Sequence, residues 1–138
     1  MKLFEIKQQK QTAAGCIFLA KNSGKLLIAR RGDDVDEPGT WGTWGGSLNN
    51  GESPKAAAER EAREETGFEG KMWLKPIWTF KHHSGFEYHT FIATVEDEFR
   101  PILNWENKDA KWVSYGKWPA PLHSGFSELL KHAADKLS

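Results

Sequence analysis

The chain has 138 residues, no formal net charge and a hydrophobic fraction of 38%, which predicts a single soluble, globular domain with a proper core. Lys and Arg together equal Asp and Glu at 19 each, so nucleic acid is not expected as the main partner. The apolar runs are too short to cross a bilayer, and the opening Met1, Lys2, Leu3, Phe4 and Glu5 does not read as a signal peptide. The single cysteine, Cys16, excludes an internal disulfide and fits a reducing, cytoplasmic setting.

Residues 12–19 and 25–30 are β-like runs joined by Asn22, Ser23 and Gly24, a hairpin turn. A loop rich in Asp, Gly and Pro over residues 32–40 leads into a short segment, residues 41–45. A helix is expected from Pro54 to Glu65, because Ser53 can cap free amides, Pro suits the first helical position and Gly67 suits the left-handed position after the end. Residues 72–80 and 86–95 read as a second hairpin around His82, His83, Ser84 and Gly85, and residues 110–115 as a last short strand. A C-terminal helix starts near Ser124, with Phe126, Leu129, Leu130, Ala133 and Leu137 on one apolar stripe. Strands between a middle and a final helix predict an α/β/α sandwich with a mixed sheet.

The middle helix carries the chemistry. Five carboxylates (Glu52, Glu59, Glu61, Glu64 and Glu65) crowd into residues 46–68. At roughly 100° per residue, Glu61, Glu64 and Glu65 share an arc of about 100° with or beside Ala57, Ala58 and Ala62. Lys55, Glu59 and Arg63 fall on the opposite side, spaced for (i, i+4) charge pairs in solvent. An ordinary charged helix would send all its acids outward. Three acids on the only side able to pack are costly unless a cation neutralises them, and oxygen ligands of this kind suit Mg2+, with Mn2+ as an alternative.

These residues resemble the Nudix box: glycine, five residues, glutamate, seven residues, Arg-Glu, an apolar residue, any residue, Glu-Glu, any residue, glycine and an apolar residue. Gly46, Glu52, Arg60, Glu61, Ala62, Glu64, Glu65, Gly67 and Phe68 fill its fixed positions. Ala62 is smaller than the aliphatic residue often found there. The resemblance covers the chain from Thr12 onward and implies a Nudix-type sandwich that hydrolyses a diphosphate bond in a nucleoside diphosphate derivative. It further implies Glu61, Glu64 and Glu65 as metal ligands, Arg60 as the residue orienting them, and Glu52 as a weaker ligand or a helix–loop brace. Gly45, Gly46 and Gly51 would let the loop approach metal and phosphate closely. The general base in such proteins lies either in the box or in a later loop; Glu106 is the candidate outside it, although Asn104 and Asn107 give its surroundings the look of a turn.

Substrate contacts are less sharply marked. Arg30 and Arg31, ending a strand, could reach phosphate. Trp44 stands where relatives carry proline, so it either reshapes the phosphate side of the pocket or fills the core. Trp73, Trp78 and Trp112 lie in strand patterns and are expected in the core. His82, His83 and His89 do not form a zinc pattern. His123 and Trp118 precede the last helix, where several relatives contact the nucleobase. The preferred substrate is a (deoxy)nucleoside triphosphate or related nucleotide, handled by a monomer or homodimer. ADP-ribose or another sugar nucleotide, a dinucleoside polyphosphate and a capped RNA end are alternatives. Pro76 comes eight residues after Phe68, sooner than in ADP-ribose-cleaving relatives, and Tyr88 comes twenty after it, later than the tyrosine of dinucleoside polyphosphate enzymes. A Nudix-like isopentenyl diphosphate isomerase would need a catalytic cysteine, and Cys16 lies in an apolar strand pattern. A non-catalytic nucleotide-binding domain would be expected to lose metal-binding glutamates, and all three are present.

Overall fold

A computed structural model describes residues 11–138; the opening pentapeptide lies outside them. The strands are β1 (Thr12–Ala20), β2 (Leu26–Arg31), β3 (Trp41–Gly42), β4 (Trp44–Ser47), β5 (Trp73–Lys81), β6 (Glu87–Val95) and β7 (Asn107–Val113). Helix α1 (Pro54–Thr66) lies between β4 and β5, and α2 (Ser124–Ala133) follows β7 and runs into a 3₁₀ turn, Ala134–Lys136.

The sheet is mixed. β1 and β6 pair in parallel along their full length, from Thr12 opposite Glu87 to Ala20 opposite Val95. β5 closes one edge by antiparallel pairing with β6. On the other side, β1 and β2 pair only at Phe18/Leu27 and Leu19/Leu26, next to their turn. Beyond that point they part, and β3 and β4 fill the gap. β3 bonds to Ala29 and Arg30 of β2, and β4 bonds to residues 13–16 of β1. β7 covers the far side of β2.

Alternation along the strands sends side chains to two apolar layers. Ala14, Cys16, Phe18 and Ala20 of β1 join Leu27, Ala29, Trp44 and the α1 alanines on one face. Ile17, Leu26, Ile28, Ile77 and Ile92 meet Phe126, Leu129, Ala133 and Leu137 on the other. This is the expected α/β/α sandwich. The last strand begins at Asn107, three residues earlier than the sequence pattern suggests, because polar residues 107–109 already pair with the end of β2.

The tryptophans divide. Trp44 is fully buried and donates its indole N–H to Leu27 O at 3.1 Å, and Trp112 bonds to Phe99 O at 2.9 Å within the α1 layer. Trp78 packs against the α2 layer and stacks on His132, centroids 5.2 Å apart. Trp73 departs from the expected core placement: it opens the edge strand β5 and is 55% exposed, since an edge strand has a neighbour on one side only.

Candidate active site

Helix α1 starts and stops as its termini dictate. Ser53 Oγ accepts from Ala56 N at 3.1 Å, Pro54 takes the first position, and Gly67, at φ 71°, donates to Arg63 O at 2.8 Å. Ala57, Ala58 and Ala62 are fully buried against the sheet. Their small side chains bring the helix close enough for Glu65, on the same side, to be only 3% exposed. Arg63 and Glu59 pair at 3.0 Å on the solvent side.

Arg60 gathers the acids. Its Nε and Nη2 donate to both carboxylate oxygens of Glu52 at 2.8 and 3.0 Å. Nη1 donates to Glu61 at 2.9 Å and reaches Glu64 at 3.3 Å, and Nη2 also donates to Ser47 O at 3.1 Å. Glu52 additionally accepts from Asn49 N at 2.9 Å. Both oxygens of Glu52 are thus engaged, which makes it a brace between loop and helix. The Arg60 guanidinium and the Asn49 amide hold its carboxyl low, at about 2. The same acids drive Arg60 above its ordinary range.

Three carboxylates converge from two elements. One oxygen each from Glu61, Glu65 and Glu106 lies within 4.8 Å of the others. Glu106 comes from the β6–β7 loop, which Ile102 N ties to Thr66 O and Gly32 N ties to Glu106 O, each at 2.8 Å. Asn104 turns the chain there by accepting from Glu106 N at 2.9 Å. Gly32 is required for this approach, since a Cβ on it would lie 2.4 Å from Trp105 O. Gly46 backs the cluster from β4: a Cβ there would lie 2.7 Å from the Glu61 carboxyl carbon.

The electrostatics are those of acids short of positive charge. Burial, opposed by the Asn107 amide and reinforced by Glu61 and Glu106, pushes the Glu65 carboxyl up to about 9. Burial and the charges of Glu61 and Glu64 also raise Glu106. Glu65 Oε1 accepts from Asn107 Nδ2 at 2.7 Å, whereas Oε2 is buried with no hydrogen-bond partner. An orphaned buried carboxylate oxygen beside two further carboxylates is a donor set that fits a hard divalent cation.

A cleft of about 580 Å³ opens beside the cluster. Gly45, Gly46, Glu106 and Asn107 line one end, Phe80, Phe86, Tyr88 and Phe126 form apolar wall, and Arg31, Glu37 and His123 supply charge and polarity. Glu37, at φ 49°, reaches the start of α2. Its carboxylate accepts from Ser124 N at 2.9 Å and Ser124 Oγ at 2.7 Å, and lies 3.0 Å from His123 Nε2. Burial opposes ionisation of Glu37, but the Ser124 bonds and His123 hold its carboxyl below the ordinary range. His123 Nδ1 accepts from Gly125 N at 3.0 Å, and burial lowers the proton affinity of its ring despite Glu37.

Several predicted contacts are placed differently. Arg30 points away from the cleft, donating to Gly39 O at 3.0 Å and lying 5.7 Å over the Trp41 ring. Its neighbour Arg31 faces the cleft instead, because adjacent strand residues alternate in direction. Trp44 is a core residue and touches no substrate space. Glu64 stays on the rim, its side chain 56% exposed, outside the convergent trio. Trp118 packs edge-on against Phe126 at 5.3 Å in the α2 layer. Gly45, Gly46, Glu106 and His123 line the cleft. Asn107 and Glu37 were legible only as a turn residue and a loop acid.

A family model described as the NUDIX domain matches residues 9–133. The chain belongs to the Nudix family. Among relatives, the CTP pyrophosphohydrolase of Escherichia coli is 39% identical over 96 residues, covering 70% of this chain and 71% of that one. The isopentenyl-diphosphate Delta-isomerase 2 of Photorhabdus laumondii is 33% identical over 119 residues, covering 78% and 65%. The solved Nudix hydrolase RenU of M. smegmatis superposes with a TM-score of 0.73 at 22% identity, covering 90% of this chain and 82% of that one. The chain spans 58–65% of the length of the first curated relatives it matches. The names of these similar proteins thus describe two kinds of chemistry, pyrophosphate hydrolysis and isomerisation of a diphosphate. Cys16 bears on the choice: its thiol is fully buried in the α1 layer, burial raises its proton affinity, and it does not line the cleft.

Proposed function

We propose that the protein is a metal-dependent pyrophosphohydrolase that cleaves a (deoxy)nucleoside triphosphate or related nucleotide to a nucleoside monophosphate. The observation that carries this reading is the convergence of Glu61, Glu65 and Glu106, with an unpartnered Glu65 oxygen, at one end of a cleft of about 580 Å³. Glu61 and Glu65 would hold Mg2+ or Mn2+, with Glu64 adding a third box carboxylate from the rim. A bound divalent ion supplies neutralisation of diphosphate charge and acidification of water.

The chain's own groups do the rest. Arg60 fixes Glu61 and restrains Glu64, so that the acids do not splay under mutual repulsion. Glu106, with its raised proton affinity, takes the proton from the attacking water. Arg31 faces the substrate phosphates from the cleft wall. Phe80, Phe86 and Phe126 give the nucleobase an apolar seat that excludes water. Isomerisation of an isopentenyl diphosphate is disfavoured by the burial of Cys16. The lone free thiol fits a cytoplasmic setting, and among the described residues no helix is long and apolar enough to cross a membrane.

The test is release of nucleoside monophosphate from a nucleotide panel, with Mg2+ and with chelator, in wild type and Glu106→Gln. Wild type should turn over at least one nucleotide only with metal, and Glu106→Gln should lose about 10²–10⁴-fold in turnover. Nucleotide binding without hydrolysis across the panel would mean a binding domain instead.

A further inference from the structure

We propose that Asn107 is a positioning residue that presents Glu65 to the metal. The inference depends on the metal reading above and concerns a residue outside the box. Asn107 is the first residue of β7 and only 5% exposed. A buried asparagine needs a partner, and this one donates an amide N–H to Glu65 Oε1 at 2.7 Å, a short bond. The two oxygens of Glu65 thereby become inequivalent. Oε1 is engaged by the amide, and Oε2 is left buried with no partner, in the company of Glu61 and Glu106. Without the amide, the carboxyl group could rotate and exchange its oxygens, since this terminal torsion is broad.

Asn107 also follows Glu106 directly in the chain. The segment carrying both is fixed by the 2.8 Å bond from Gly32 N to Glu106 O and by pairing with the end of β2. The register shifts there, so that Arg31 faces Asn107 and Arg30 faces Asp109. Such a bulge re-aims side chains at functional sites. One side chain therefore ties the helix acid Glu65 to the strand that delivers Glu106, across 42 residues of sequence. Partners of this kind set the orientation of metal ligands, and losing one typically weakens metal affinity about 10–100-fold.

The experiment is Mn2+ binding to the whole chain, followed by the electron paramagnetic resonance of free Mn2+. Asn107→Leu keeps the branched heavy-atom skeleton and removes the donor. Its Kd for Mn2+ should rise about 10–100-fold, while turnover at saturating metal largely recovers. In a Glu65→Gln background the same change should have little further effect, because the group it positions is already altered. A purely structural asparagine predicts otherwise: Mn2+ affinity within twofold of wild type in folded Asn107→Leu, or an undiminished loss beside Glu65→Gln, overturns the proposal. If Asn107→Leu does not fold, wild type decides. The Asn107 side-chain NH2 resonances should shift on Mg2+ addition with the midpoint of metal binding, and fixed resonances at saturation would refute the role. Failure of wild type to bind Mn2+ or Mg2+ would instead overturn the metal site itself, and this inference with it.

Discussion

Replacing Gly46 by alanine adds one methyl group and tests the geometry of the box directly. The new Cβ would sit 2.7 Å from the Glu61 carboxyl carbon and 2.8 and 2.9 Å from its oxygens. Carbon atoms in ordinary contact lie about 3.5–4.0 Å apart, so the carboxyl group must retreat by roughly 0.8–1.3 Å. Glu61 is tethered to Arg60 Nη1 at 2.9 Å, so the retreat strains or breaks that bond and moves a proposed metal ligand. A displacement of about 1 Å costs on the order of 10²-fold in rate, or roughly 2.7 kcal/mol of barrier. The fold should lose much less, about 1 kcal/mol for a part-exposed charge-assisted bond, or a fall of roughly 3–6 °C in Tm. Nucleoside monophosphate release at saturating Mg2+ and a melting curve measure the two effects. Gly51→Ala is the control. Gly51 adopts φ 75° with open space around its Cβ position rather than the close approach expected of it, so alanine there should lower stability by about 1–2 kcal/mol and leave turnover unchanged. A Gly46→Ala protein with wild-type turnover would refute the reasoning, as would equal rate losses in both variants.

The other predictions concern charge. With metal removed, Glu65 binds a proton more tightly in the fold than in the unfolded chain. Its contribution to stability is therefore fully present below about pH 4.5 and is lost as pH rises towards about 9; Mg2+ should abolish this decline and release about one proton per ion near neutral pH. Melting curves with and without chelator, and calorimetry in buffers of different ionisation enthalpy, check both parts, and an apo-protein Tm that rises from pH 6 to 9 would contradict them. Arg31→Ala should raise KM for nucleotide about tenfold or more, whereas Arg30→Ala, which loses packing on Trp41, should lower Tm and leave KM nearly unchanged. Equal effects of the two arginines on KM would show that the cleft is assigned to the wrong wall.

Local signals carried most of the fold. Ser53, Pro54 and Gly67 placed both ends of α1 to within a residue, and strands lying between that helix and the striped α2 predicted the two layers. What could not be read was the pairing beyond the two hairpins. The parting of β1 from β2 depends on β3 and β4, whose few residues have no periodicity to read. The site divided along the same line. Helical phasing and box spacing found Glu61 and Glu65, which lie on one element. Asn107 and Glu37 acquire their roles only through partners 42 and 87 residues away, and beside Glu106 an asparagine carries the local signature of a turn. Arg30 and Arg31 were equal candidates, because sequence gives strand alternation without saying which face meets the cleft. Trp44 held both readings until its indole was seen bonded to Leu27 in the core.

The wedge formed by β3 and β4 acts as a ruler between the two helices. Near one end, Gly42 lies close beneath the start of α2, where a Cβ would come within 3.2 Å of the His123 Cβ; near the other, Gly46 lies beneath the Glu61 carboxyl group. Three residues separate these two places without a loop to absorb a change in length. An insertion or deletion among them could keep the His123 end or the acid end in register, but not both. The adjoining stretches 32–40 and 48–52 are loops and can change length far more freely. Variation that retunes the substrate should therefore accumulate in those loops, while the distance between Gly42 and Gly46 stays fixed.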